Sequence, residues 1–76
     1  MIFLLRYNRK SGLLVDISSY SDSARLAAQD ARLQLELSVL QDDLPDEVIL
    51  LEAESEAALR ITHSRYFYNP REIADS

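Results

Sequence analysis

In this 76-residue chain, the residues best suited to bind a ligand are basic and aromatic side chains near the two ends. Guanidinium groups and aromatic rings alternate in the C-terminal segment, and two further basic residues lie in a short polar segment near the start. If the fold joins these segments, the resulting patch could stack unpaired bases or hold a phosphate. The residues of this basic–aromatic patch are Arg9, Lys10, Arg60, His63, Arg65, Tyr66 and Tyr68.

The overall charge argues against nucleic acid as the first choice of partner. There are 13 acidic residues against 8 basic ones, the formal net charge is −5, and the isoelectric point is about 4.6. Affinity for nucleic acid comes largely from the neutralisation of phosphates by basic side chains. Binding of nucleic acid or a nucleotide is therefore the alternative function rather than the preferred one.

The sequence offers no recognisable catalytic site. His63 is the only histidine, and its neighbours one helical turn away, Leu59, Arg60 and Phe67, are not metal-ligating residue types. The absence of cysteine excludes thiol nucleophiles, zinc–thiolate sites and disulfide scaffolds. No glycine-rich phosphate loop, GxSxG or HExxH motif occurs. We therefore expect a protein that is not an enzyme, with no catalytic residue, metal or cofactor.

An acidic run around Pro45 is the remaining candidate for chemistry. Several carboxylates close in sequence could bind a divalent cation, but the spacing and central glycine of an EF-hand are missing. We interpret the run as a solvated connection between a helix and a strand. Its members are Asp42, Asp43, Asp46 and Glu47.

Length and hydropathy indicate one small domain that does not enter a membrane. The apolar run at the start, Met1 to Leu5, is far shorter than the ~20 residues that a spanning helix needs. We expect residues 1–68 to form a single domain and residues 69–76 to be a flexible tail. We also expect a cytoplasmic location, which the lack of cysteine permits.

The first 18 residues predict a β-hairpin. Residues 2–7 and 13–18 are apolar enough for two strands, and the polar segment between them ends at Gly12, the only glycine. A five-residue loop then sets an antiparallel register in which the paired residues share one face of the sheet. The predicted pairs are Tyr7 with Leu13, Leu5 with Val15 and Phe3 with Ile17.

The rest of the chain predicts helix, strand and helix. Residues 22–41 are rich in helix-forming residues, and Ser21 or Asp22 can cap them. Residues 47–53 form a third strand that should be mostly buried, and Ser55 can cap a short helix ending between residues 64 and 68. Arg65 would lie on the apolar side of that helix, so either the helix unwinds there or the Arg65 stem lies along the surface.

The predicted fold class is α+β, a small two-layer ββαβα domain. Its three-stranded sheet has the order 2-1-3, with one long and one short helix. We expect the first and third strands to be parallel, and an antiparallel third strand beside the second strand is left open.

The most informative feature of the sequence is a surplus of apolar residues. At 100° per residue the long helix carries two opposed apolar stripes, and a helix on a sheet buries only one. The alanine stripe consists of Ala24, Ala28, Ala31, Leu35 and Val39, and the leucine stripe of Leu26, Leu33, Leu37 and Leu40. The second face of the sheet also has an apolar centre, formed by Ile2, Leu4, Leu14, Val48 and Leu50.

This surplus predicts a protein–protein interaction module. Each exposed leucine leaves ~1.5–3 kcal/mol unrealised, whereas a domain of this size has a net stability of only about 5 kcal/mol. We expect the leucine stripe and the apolar centre of the second sheet face to form an interface, in a homodimer or with a larger protein. The alternative is that a kinked long helix, or a short helix wrapped behind it, buries everything in one chain.

Overall fold

The computed structural model describes residues 1–68 of the chain. The predicted tail, residues 69–76, lies outside the described residues. The helices and strands follow in the order β1 (Ile2–Asn8), β2 (Leu13–Tyr20), a 3-10 turn (Asp22–Ala24), α1 (Arg25–Gln41), β3 (Asp46–Glu52), α2 (Glu56–Thr62) and a second 3-10 turn (Ser64–Tyr66). The predicted ββαβα order is thus confirmed.

The sheet has three strands in the order β2-β1-β3, so the predicted order is confirmed and the most apolar strand is central. The prediction that the first and third strands are parallel is wrong, because β1 pairs antiparallel with both neighbours. The reason is the length of α1. Its 17 residues span about 25 Å and return the chain to the end of the sheet where β2 begins. β3 therefore runs in the direction of β2, with β1 between them.

The hairpin forms as predicted, but its register differs. Asn8 pairs with Leu13, so the loop has four residues rather than five, and Leu5 pairs with Ile17 rather than with Val15. The register also shifts between Arg6 and Tyr7, which leaves Val15 without a partner in a β-bulge. Beyond the bulge Tyr7 pairs with Leu14 instead of Leu13. Gly12 closes the loop with a φ of 71°, the left-handed conformation that glycine adopts without steric cost.

The short helix covers one face of the sheet. Leu59 of α2 and Tyr66 of the following turn are buried together with Phe3 and Leu5, and they form the hydrophobic core. Half-buried residues from all three strands and from the C-terminal turn complete this core: Tyr7, Leu14, Ile17, Ile49, Leu51, Ala53 and Phe67. Leu14 therefore belongs to this core and not to the opposite face, where the predicted register placed it.

The long helix covers the other face. Side chains alternate along a strand, so Ile2 and Leu4 point away from the core of Phe3 and Leu5. Both are buried, at 0% and 7% exposure, and α1 lies against β1 and β3. The sheet therefore has a helix on each face, whereas the two-layer arrangement would leave one face open. Ile2 and Leu4 are consequently not free to form the interface for which the sequence suggested them.

The remaining two residues of that proposed sheet interface, Val48 and Leu50, are half-buried. They belong to β3, which was predicted to be mostly buried. β3 is instead an edge strand that hydrogen-bonds only to β1, and this leaves its residues Asp46–Leu51 half-buried. Its nearly continuous apolar sequence reflects helices on both faces rather than a central position.

The two helices begin in different ways. The predicted cap of α2 is confirmed, since the Ser55 hydroxyl accepts a hydrogen bond from the Ala58 amide at 3.1 Å. Neither predicted cap of the long helix is present. Residues 22–24 form a 3-10 turn without a side-chain cap, and the Asp22 carboxylate lies 3.1 Å from the Met1 amino group.

The short helix ends at Thr62, before the position of Arg65. Of the two predicted alternatives for Arg65, the unwound one is therefore observed. Among residues 1–68, no helix combines the length and the apolar character required to cross a membrane.

Candidate functional site

The leucine stripe lies on the outer surface of α1 and is exposed to solvent. The exposed fractions are 80% for Leu26, 52% for Leu33, 45% for Leu37 and 77% for Leu40. Within residues 1–68 no segment covers these four side chains, because α2 packs through Leu59 on the opposite face of the sheet. A contiguous row of exposed leucines is uncommon on a small protein.

Small residues explain why the other stripe faces the sheet. Ala28 is completely buried and Val39 is 9% exposed, while Ala24, Ala31 and Leu35 are half-buried. Alanine allows the helix backbone to approach the sheet closely, so this stripe packs without a large side chain in the way. The leucines must then point to solvent, because they lie on the opposite side of the same helix.

A groove adjoins the C-terminal end of the leucine stripe. Its volume is about 440 Å³, and it lies between the end of α1, the α1–β3 loop and the beginning of β3. Leu40 belongs both to the groove and to the stripe, so the two apolar surfaces are continuous. The other apolar lining residues are Val39, Leu44 and Val48, and the charged ones are Arg9, Glu36, Asp43, Asp46 and Glu47. We call this feature the acidic groove.

The charges of the acidic groove are only partly compensated. The Arg6 guanidinium donates a 2.6 Å hydrogen bond to the Asp46 carboxylate, whose side chain is only 5% exposed. Glu36 lies 3.3 Å from Arg32 on the same helix. Asp43 is exposed at the turn that follows α1, where it adopts a φ of 50°. Glu47 lies between Arg9 and Arg65, at 3.7 and 3.4 Å. Among residues 1–68, Asp43 is therefore the acidic residue of the groove that has no arginine partner.

Sequence reasoning missed this groove, and it missed Leu44 in particular. Leu44 is 39% exposed and follows the end of α1, where the acidic run was interpreted only as a solvated connection. One available signal was spacing, because Leu44 follows Leu37 by seven residues, as Leu33 follows Leu26. The apolar pattern of the stripe therefore continues past the end of the helix.

Part of the basic–aromatic patch does assemble, around an acidic residue. The Arg65 guanidinium lies 3.4 Å from Glu47 and donates a 2.6 Å hydrogen bond to the Tyr66 hydroxyl. Arg9 approaches the same Glu47 carboxylate at 3.7 Å, and the Tyr7 and Tyr66 rings stack edge to face at 5.2 Å. The fold thus meets the condition for the patch by joining the hairpin loop to the C-terminal turn, but a carboxylate lies between the two guanidinium groups.

This arrangement also favours the charged form of Arg65. The hydrogen bond to the Tyr66 hydroxyl, followed by the electrostatic effects of Tyr66 and Glu47, raises the pKa of Arg65 above its ordinary value. A raised pKa adds stability below the unfolded-state pKa, and this is lost only as the pH rises through the folded value.

The other residues of the patch lie apart from this cluster. Arg60 bonds to Glu56 on its own helix at 2.8 Å and stacks over the Phe67 ring at 4.5 Å. His63 is half-buried where α2 ends, and its amide donates to the Leu59 carbonyl. Lys10 is exposed in the hairpin loop, and Tyr68 is 54% exposed.

No group of three or more His, Asp or Glu side chains in residues 1–68 is arranged to hold a metal ion. Comparison of the chain with models of known families, with curated proteins and with solved structures gives no match.

Proposed function

We propose that this protein is a non-catalytic protein–protein interaction module that forms a homodimer through the leucine stripe of α1. The observation that supports the proposal is the exposure of Leu26, Leu33, Leu37 and Leu40, each 45% exposed or more. In a chain of 76 residues, this row is a large unsatisfied apolar surface. A second copy is the partner that carries the same surface, and two-fold symmetry is the commonest way to bury it.

The size of the surface is sufficient for such a dimer. The exposed parts of the four leucines equal about two and a half complete side chains, worth ~4–8 kcal/mol per chain when buried. Two chains contribute this amount, which is of the same order as the ~4–15 kcal/mol cost of association. We therefore expect a weak dimer, with a dissociation constant of about a micromolar or higher.

The single-chain alternative has little support. It requires either a kinked α1 or a short helix wrapped behind α1. The helix is continuous from Arg25 to Gln41, and α2 is anchored on the far side of the sheet through Leu59. Within residues 1–68, neither route to burying the leucine stripe is used.

The test is the native mass of the purified chain. Sedimentation equilibrium at tens of micromolar should give twice the 8.7 kDa of one chain. The double substitution Leu33→Asp, Leu37→Asp should weaken the dimer ~100-fold or more, because burying two carboxylates opposes association. The matched control is Val15→Asp, since Val15 is 51% exposed on the hairpin, away from α1.

A monomeric wild-type chain at these concentrations would contradict the proposal. A monomer that nevertheless forms a complex with a larger protein, sensitive to the same two substitutions, would replace the homodimer by that protein as the partner. The cytoplasmic location stays a prediction.

Binding of nucleic acid or a nucleotide is the weaker alternative. Arg9 and Arg65 share the Glu47 carboxylate, and Arg60 is paired with Glu56, so a phosphate would have to compete with these acids. The test is a gel shift with single-stranded nucleic acid at low salt. A shift that disappears steeply as the salt concentration rises would support this alternative, and the absence of any shift would remove it.

A further inference from the structure

The two ends of α1 differ in charge and in shape. The segment from Asp22 to Leu33 contains two acidic and two basic residues, whereas the segment from Gln34 to Leu44 contains three acidic residues and no basic one. The first end carries Leu26, the most exposed leucine of the stripe, and the second end carries the acidic groove. Leu26 beside Arg25 and an open apolar groove beside Asp43 are complementary features.

We propose that the acidic groove receives the N-terminal end of α1 from a second copy of this chain, so that the two α1 helices pack antiparallel. This inference rests on the proposed dimer and specifies its geometry. Leu26 of each copy packs against Leu40 and Leu44 of the other, and Leu33 lies near the two-fold axis. A two-fold interface is self-complementary, so both grooves are filled by the same contact.

The flanking charges favour this direction over a parallel one. Arg25, Arg32 and Glu36 lie along the same side of the leucine stripe, at 100° per residue. In an antiparallel pair this side faces the same side of the other copy. With Leu33 on the axis, Arg32 then lies near Glu36 of the partner, and Arg25 lies near the C-terminal end of the partner's α1. A parallel pair would instead bring the two acidic grooves together, and like charges in close contact oppose association.

Disulfide trapping tests the direction, and the chain is suitable because it has no cysteine of its own. Leu33→Cys should cross-link to itself on mild oxidation. Leu26→Cys and Leu40→Cys should cross-link poorly alone but efficiently as a mixture, identified by mass spectrometry. The control is Ser38→Cys, which is exposed on α1 and away from the stripe. Self-cross-linking of Leu26→Cys without the mixed product would show a parallel dimer and overturn this inference, while the proposed dimer would stand.

Charge reversal provides an independent test. Arg32→Glu and Glu36→Arg should each weaken self-association about tenfold, whereas an equimolar mixture of the two variants should associate to within about threefold of the wild type. Arg32 and Glu36 are also paired within the chain, and that pair is lost in both variants. Recovery in the mixture therefore requires a contact between copies. A mixture as weak as the single variants would contradict the inference.

A third experiment isolates the groove from the stripe. Leu44→Asp should weaken the dimer about tenfold, although Leu44 lies outside the helix. Leu13→Asp is the matched control, because Leu13 is 43% exposed and Leu44 39% exposed. A dimer unaffected by Leu44→Asp would remove the groove from the interface. If the wild-type chain is monomeric in the same experiments, the proposed function fails, and this inference fails with it.

Discussion

The two helices of this protein use their apolar residues in opposite ways. α2 has only seven residues, yet its Leu59 is completely buried in the main core beside Phe3 and Leu5. α1 has 17 residues, and the two that are buried are Ala28 and Val39. Its four leucines of the stripe point to solvent.

The contrast shows that helix length does not decide how much a helix contributes to the core of a single chain. The short helix contributes a large side chain to a well-filled cluster. The long helix contributes small side chains, which allow its backbone to pack close to the sheet. The large side chains of α1 remain available for association, which is where we expect their hydrophobic free energy to be realised.

The largest expected effect is the loss of stability on truncating the buried side chain of α2. Leu59→Ala should lower the free energy of unfolding by ~2–5 kcal/mol, because it leaves a cavity in a fully buried site. Leu26→Ala should change it by less than ~0.5 kcal/mol at concentrations where the chain is monomeric. Urea denaturation measures both. Equal losses would mean that the two helices do not differ in this way.

The close approach of α1 to the sheet can be tested by enlarging a side chain. Ala28→Leu should cost ~1–3 kcal/mol, since a completely buried alanine leaves no space for a larger residue. Ala27→Leu, at an exposed position of the same helix, should be nearly neutral. Thermal unfolding of the two variants gives the comparison, and a stable Ala28→Leu protein would argue against tight packing here.

The helix starts differ as well, with a smaller effect. Ser55→Ala removes the hydroxyl that caps α2 and should cost about 1 kcal/mol. Ser21 precedes the long helix, where no side-chain cap is present. Ser21→Ala should therefore lower the free energy of unfolding by clearly less. Chemical denaturation of both variants checks the difference. An equal loss would mean that Ser21 stabilises α1 in a way the hydrogen bonds do not indicate.

The smallest effect concerns the ion pairs next to the α2 core. Glu47→Gln removes the carboxylate shared by Arg9 and Arg65, whose side chains are both 68% exposed. Exposed ion pairs contribute ~0–1 kcal/mol. The free energy of unfolding of this variant should therefore fall by no more than about 1 kcal/mol relative to the wild type. A larger loss in denaturation experiments would show that charge as well as packing holds the C-terminal turn.

Local features of the fold could be predicted, and relations between distant elements could not. The cap at Ser55 and the positive φ at Gly12 follow from a few neighbouring residues. The end of α2 was placed between residues 64 and 68, whereas the helix ends at Thr62. The bulge at Val15 could not be foreseen, because it depends on how far β2 continues along β1. The direction of β3 was also mistaken, because it follows from where α1 returns the chain.

The candidate site shows the same division. The leucine stripe could be recognised from helical periodicity alone. The burial of Ile2 and Leu4 could not be predicted, because it depends on the position of α1 over the sheet. The acidic groove combines residues of β3, of the hairpin loop and of the end of α1, so the pattern of any single element does not reveal it.

Helical periodicity depends only on residue spacing, so the amino-acid pattern was enough to show that α1 has one small-residue side and one leucine side. Which of the two sides is covered depends on the rest of the fold. The space between α1 and the sheet accommodates alanine and valine, and α2 occupies the opposite face, so within residues 1–68 the leucines are left outside. Residue spacing is a local property, but burial depends on what the rest of the chain places beside each surface.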